Sequence, residues 1–310
     1  MRVHTARYKG RNHLSTLICE HCNASKVDPT YVYTNFNIDA PHNATAISHE
    51  EYLQMASTQS PWTAHLGWRK ERVHFDWMHI LFVDGVANHL VASLFVVLGA
   101  MQFWGPGPIE RQLCQATADF RAWIRFHKLG PVSLPKHLLQ KSPMPALNSE
   151  VKAASTKLMS YWICSVGARA YTFNPTLLMA KNVSMLCYSF AQMLYKSDTG
   201  PLILSQAAAD EISGYGHAFL ITYSYLGYCA GLNGVQCWNI KPKHHYLDES
   251  LKFMCSNLEN AMKKSSMMEE DFMGKCKRVT KMTHKSAASY RGLQRHLLQV
   301  KQRWREMQQP

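Results

Sequence analysis

The run Leu90–Trp104 carries no charge and is almost entirely apolar, and it stops at Gly105-Pro106-Gly107-Pro108. A segment of that kind must bury its side chains and pair its backbone groups internally, which favours a helix. It is shorter than the roughly 20 residues that cross a bilayer comfortably, so the expected place for it is the interior of a large core. His217–Leu232 has a similar character, is broken by Gly227 and Gly231, and carries the same expectation of a buried helix. A chain of 310 residues is long enough to build such a core, and a 46% apolar content argues against general disorder.

Along the chain, residues 1–70 are irregular, with polar segments rich in His, Asn, Ser and Thr punctuated by Pro29, Pro41 and Pro61. The pattern changes at Arg72, and Val73–Leu81 reads as a strand or the start of a helix. Ile109, Leu113, Ala116, Phe120, Trp123 and Ile124 recur at steps of three and four, which predicts an amphipathic helix. Residues 129–147 carry four prolines and read as an irregular crossing. Val151–Trp162, Leu177–Tyr195, Leu202–Ser213 and Ala218–Tyr228 are further helical segments. The fold class is therefore mainly α, a helical block with a few strands near 70–80 and 235–242. Three regions follow: 1–70, 71–235 and 236–310.

The last region is the most legible. Tyr290, Leu293, Leu297, Val300 and Trp304 form one apolar stripe of a helix, and Arg278, Lys281, Arg291 and Arg295 belong to a basic tail that runs from Lys275 with scarcely an acid before Glu306. The formal net charge of the whole chain is +13. Such an excess favours a polyanionic partner, with DNA contacted through its phosphates ahead of an acidic membrane surface. A homo-oligomer is compatible with the sequence. The first twelve residues are basic with no apolar run behind them, and the nine cysteines show one close pair. Both features point to an intracellular protein with free thiols, in the nucleus ahead of the cytoplasm.

Four patterns could carry chemistry. Cys19-Glu-His-Cys22 is a zinc half-site, which His4, His13 or His42 could complete; otherwise it is two thiols in a loop. Asp76-Trp-Met-His79 places an acid and an imidazole three residues apart, as a pocket pair or as a satisfied buried histidine. Lys241-Pro-Lys243-His-His245 is a compact cationic turn at a helix start, able to grip phosphate or to rest in solvent. Glu269-Glu270-Asp271 could hold divalent metal or lie near the start of a helix.

Taken in order, the CxxC pair, the D-x-x-H motif at Asp76–His79, the long helical block, P-K-x-H at Pro242–His245 and E-D-F-x-G at Glu270–Gly274 resemble the CACTA-type (En/Spm-like) transposases. Trp77 departs from the proline usual in that D-x-x-H motif. The resemblance implies the remnant of a split RNase H-like α/β core, with Glu270 as the closing glutamate of a two-ion centre served by Mg or Mn. It implies two aspartates ahead of the CxxC pair as well, yet Met1–Ile18 holds no Asp or Glu. The expectation is thus a transposase-derived protein, catalytically incomplete, that retains nucleic-acid binding through Lys241, Lys243, His245, Arg278, Lys281, Arg291 and Arg295. The alternative is a basic α-helical protein-interaction module.

Overall fold

The computed structural model describes residues 15–54, 69–70, 74–140 and 144–265. The chain divides into two compact units, Met1–Lys264 and Ser265–Pro310, and every element described belongs to the first. Glu270, Arg278, Lys281, Arg291 and Arg295, the acidic run at 269–271, the apolar stripe at 290–304, and His4 and His13 lie outside the described residues.

The first unit is helical. A 3-10 turn Pro41–Ala44 and a short helix α1, His49–Gln54, follow the CxxC loop. A π-type turn, Met78–Phe82, leads into α2, Val86–Ala100, and then α3, Ile109–Phe126. Three long helices come next: α4, Ala153–Phe173, α5, Leu178–Thr199, and α6, Gln206–Leu232. The last is α7, Pro242–Asn257. The mainly α expectation holds, whereas among the described residues the expected strands do not form. Among the described residues the extended pairings are isolated bridges, such as Leu17 with Ser25 and Leu139 with Leu147.

Local chemistry explains both missing strands. Trp77, Met78, Ile80, Leu81 and Phe82 are all buried, so this run lacks the alternation of a half-buried strand. Asp76 Oδ1 accepts the Met78 amide at 3.0 Å and starts a helical turn there. The other stretch is interrupted by Trp238, which adopts a left-handed φ of 59°, and by Pro242, which lacks an amide donor.

α2 is the apolar run of the sequence. The stretch Met78–Ala100 is long and apolar enough to cross a membrane, but 78% of its most apolar window is buried within the protein, as for a core helix. Gly85 caps α2, because a Cβ there would meet the Ile80 carbonyl oxygen at 2.2 Å. α3 buries Ala116, Phe120 and Ile124 as its periodicity requires. Gln112, on the same face, accepts the Trp104 amide and donates to the Gly105 carbonyl, and so closes the glycine–proline break from inside.

α4, α5 and α6 pack on one another in sequence, joined by short connections that make neighbours antiparallel. Phe190 on α5 meets Phe219 on α6 at 4.6 Å. The two expected helices 202–213 and 218–228 are one continuous helix, α6. Gly214 and Gly216 do not break it, and Gly216 lets α7 approach, since a Cβ there would lie 2.3 Å from Leu251 Cδ1. His217–Leu232 also differs from expectation. It is buried on one face only, with Ile221, Tyr225, Tyr228 and Leu232 exposed on the other.

Candidate metal centre

α7 begins at Pro242, whose fixed φ suits the first helical turn and whose missing amide costs nothing there. The two histidines that follow point inward. His244 accepts the Lys241 amide on Nδ1 at 3.0 Å and packs on the Tyr223 ring at 4.6 Å. Its imidazole is fully buried, and that burial pulls its pKa down to about 3. His245 is wholly buried too, and its Nε2 lies 3.3 Å from Cys22 Sγ.

The cysteines reach this point on a tight loop. Ile18 donates to the Ala24 carbonyl at 3.1 Å and Lys26 to Thr16 at 3.0 Å, so the two arms of the CxxC segment run side by side. The His21 amide donates to Cys19 Sγ at 3.3 Å. Ile18, Cys19, Cys22 and Ala24 form a buried cluster against Tyr33 and Phe75. Two tyrosines lock the loop onto the start of α7: Tyr246 donates to the Ile18 carbonyl at 2.8 Å, and Tyr33 to the Ile240 carbonyl at 3.0 Å. Burial holds the Cys19 thiol well above its ordinary pKa, and the nearby Cys22 and Glu249 push the same way.

The Cys19, Cys22 and His245 donor atoms all lie within 4.8 Å of one another and form a group that could hold a metal ion. His42, His245 and Asp248 form a second such group through the shared histidine. His42 is buried in the 3-10 turn, its ring 5.0 Å from that of His245, and neither of its nitrogens has a hydrogen-bond partner among the described residues. The carboxylates nearby are better served. Asp248 accepts from His217 Nε2 at 3.0 Å and pairs with Lys252 at 2.5 Å. Burial raises the Asp248 carboxyl, but those two partners outweigh it and hold its pKa below the ordinary value. Glu249 lies 3.9 Å from His245 Nε2 and 3.3 Å from Lys252 Nζ, and burial raises its pKa. It lines a cavity of about 290 Å³ that also takes in Phe75, Phe253, Lys70 and Lys252.

The D-x-x-H motif lies beside this cluster. Asp76 Oδ2 and His79 Nδ1 are 2.5 Å apart, so the two side chains satisfy each other. Phe75, just before them, stacks on Tyr246 at 4.5 Å and meets His21 edge-on at 5.2 Å. Among the described residues, neither group that could hold a metal is a set of carboxylates, as a two-ion centre would need.

The cationic turn is corrected in part. His245, expected to face phosphate, is buried against the cysteines. Lys243 donates to the Val83 carbonyl at 2.6 Å and the Asp84 carbonyl at 2.5 Å, which ties α7 to the turn before α2. Lys241 is exposed. The Cys19–Cys22 half-site does find histidine, from His245 on α7 and with His42 alongside. The signal for the former lay in His245, Asp248 and Glu249, spaced three and four apart on one helical face. The chain matches no protein-family model, and no curated protein or solved structure is significantly similar to it.

Proposed function

We propose that this is a nucleic-acid-binding protein of transposase descent, in which a zinc ion fastens the N-terminal CxxC loop to α7. The observation that supports the reading is the contact of two sequence motifs far apart in the chain, with the residue that precedes a third packed beside them. Cys22 touches His245 of P-K-x-H, and Phe75 beside the D-x-x-H motif stacks on Tyr246.

Zinc is the ion that the donor set suits. Thiolate and imidazole are its commonest ligands, and tetrahedral bonding would put sulfur and nitrogen about 3.5 Å apart. Cys22 Sγ and His245 Nε2 are 3.3 Å apart. His42 is the better fourth ligand. Its nitrogens are buried and have no hydrogen-bond partner among the described residues, whereas Glu249 already faces Lys252. Two thiolates balance a divalent ion, neutral His42 and His245 add no charge, and Asp248 and Glu249 keep their lysine. An ion closed by four protein ligands is structural, so this reading assigns the chain no bond-breaking step.

Nucleic-acid binding rests on the net charge of +13 and on the basic tail, with Lys241 as an exposed contact. Binding of the full chain to random-sequence duplex DNA, followed by anisotropy across a salt series, tests it. Phosphate contacts release counterions, so log K should fall linearly with log salt, by about 0.9 per phosphate neutralised. A flat response from low to physiological salt removes this reading. The alternative of a protein-interaction module draws support from the apolar face of α5 and α6, where Tyr188 and Tyr225 stand exposed.

A further inference from the structure

Lys157, Arg169 and Lys196 on the long helices each have a carboxylate beside them, from Asp198, Asp119 and Glu211. The far end of α3 does not follow that pattern. From Arg121 to Ser149 the sequence holds no Asp or Glu, yet Arg121, Arg125, Lys128 and Lys136 fall within it, all four exposed. Among the described residues none of the four has an ion pair. Arg121 and Arg125 stand one turn apart on the same side of the helix. A helix dipole favours cations in its last turn, which accounts for Arg125 and Lys128 but not for Arg121 before them or Lys136 beyond.

Rings occupy the same end. Phe126 is 81% exposed, and its ring meets that of His127 edge-on at 5.1 Å. His127 lies 4.5 Å from half-buried Trp123, which stacks on buried Phe120 at 6.3 Å, and Phe120 packs on buried Trp162 of α4 at 5.3 Å. A ladder of aromatic rings thus runs from the core to the surface and braces the outermost of them. α3 ends immediately afterwards, where Lys128 takes a left-handed φ of 52° and the Leu129 amide donates to the Ile124 carbonyl at 3.0 Å.

We infer that the C-terminal end of α3 is a contact surface for single-stranded nucleic acid, an inference that rests on the nucleic-acid binding proposed above. Unpaired cations call for a polyanion, and guanidinium groups match phosphate oxygens two at a time. An exposed, braced ring beside them offers a face on which an unpaired base can stack, whatever its identity. Bases within a duplex are already stacked on one another and would leave that ring unused. An acidic membrane would meet the charge but not the shape. A helix that lies in a bilayer surface needs a broad apolar face, whereas the outward side of α3 carries Cys114, Ala118 and Ala122 between its arginines.

Anisotropy of labelled oligothymidine and of random-sequence duplex, each titrated with the full chain, tests the inference. Phe126→Ala should weaken oligothymidine binding by about fivefold or more, with duplex binding and the melting temperature unchanged. Phe126→Trp should keep the affinity, and Phe126→Leu, apolar but without a ring face, should lose it as alanine does. Arg121→Gln and Arg125→Gln should each lower the salt slope on oligothymidine by about 0.7. If Phe126→Ala binds oligothymidine as the wild type does, the inference falls while the duplex reading stands. Equal losses on the single strand and the duplex overturn the assignment to unpaired bases. A wild-type chain that binds neither probe overturns both readings. Binding to phosphatidylserine vesicles that needs Phe126, with oligothymidine binding indifferent to it, gives the surface to a membrane and overturns the inference.

Discussion

Cys22 and His245 are 223 positions apart in the chain, and Sγ of the first lies 3.3 Å from Nε2 of the second. That contact joins an otherwise irregular N-terminal segment to the first turn of a helix packed on the long bundle. Burial of Ile18, Cys19, Cys22 and Ala24 against Tyr33 and Phe75 holds part of that segment in place. Two tyrosine hydroxyls help, but fixing the cysteines and the histidine at ligand spacing matches what an ion would do.

If the proposed zinc ion is bound, removing it should loosen one end of the molecule and leave the other intact. With a strong chelator, amide hydrogen exchange should accelerate in residues 15–54 and the first turn of α7. The protected amides of α4 to α6 should remain slow, because those helices pack on one another. Uniform acceleration, or none, would separate the ion from the loop's order.

The identity of the fourth ligand separates two side chains that both lie close. His42→Ala should weaken cobalt or zinc binding by about tenfold to a hundredfold or more, and Glu249→Gln by much less, as measured by competition with a chromophoric chelator. The reverse ranking would give the position to Glu249.

Two lysines two positions apart should behave differently. Lys243 donates to the carbonyls of Val83 and Asp84, so Lys243→Met should lower stability by about 1–3 kcal/mol. Duplex affinity should hardly change. Lys241 is exposed, so Lys241→Ala should leave the melting temperature alone, weaken DNA binding modestly and reduce its salt slope.

Acid should destabilise the fold through His244. Burial, with some help from neighbouring His89, pulls its pKa down to about 3 from an ordinary 6.5. The unfolded chain takes up a proton near pH 6.5, whereas the folded chain resists until near 3. Stability is therefore full above about 6.5 and falls as pH drops towards 3, by up to about 1.4 kcal/mol per pH unit for one proton. His244→Asn, which keeps an acceptor for the Lys241 amide, should flatten that slope in denaturant titrations at successive pH values.

Gly216 sets the distance between α6 and α7. An added Cβ would meet Leu251 Cδ1 at 2.3 Å and Cγ at 3.1 Å, so Gly216→Ala should cost about 1–3 kcal/mol. Gly214, whose Cβ would meet nothing within 4 Å, provides the control: Gly214→Ala should be neutral or stabilising.

The helical character was legible because α3 buries one stripe, and Ala116, Phe120 and Ile124 fall where the period puts them. The strand expected near 70–80 is not distinguishable in sequence from a helical turn, because five buried apolar residues between Trp77 and Phe82 look alike whether a run extends or turns, and the deciding bond, from the Met78 amide to Asp76, leaves no period. The half-site at Cys19 and Cys22 was visible from its spacing, and His42 was among the expected partners. In the sequence His245 has the look of a surface cation because its neighbours Lys241 and Lys243 are charged. Its inward direction follows from the helical register of α7, which a proline-led basic run does not disclose.

The most direct measurement is the metal content of the purified full chain, with cobalt substitution to count thiolates by charge-transfer absorption. The expected result is one zinc ion per chain, two cysteine sulfurs on the cobalt, and loss of the ion in both Cys22→Ser and His245→Ala. A wild-type chain that binds no metal, or an ion whose occupancy is unchanged by His245→Ala, would contradict it.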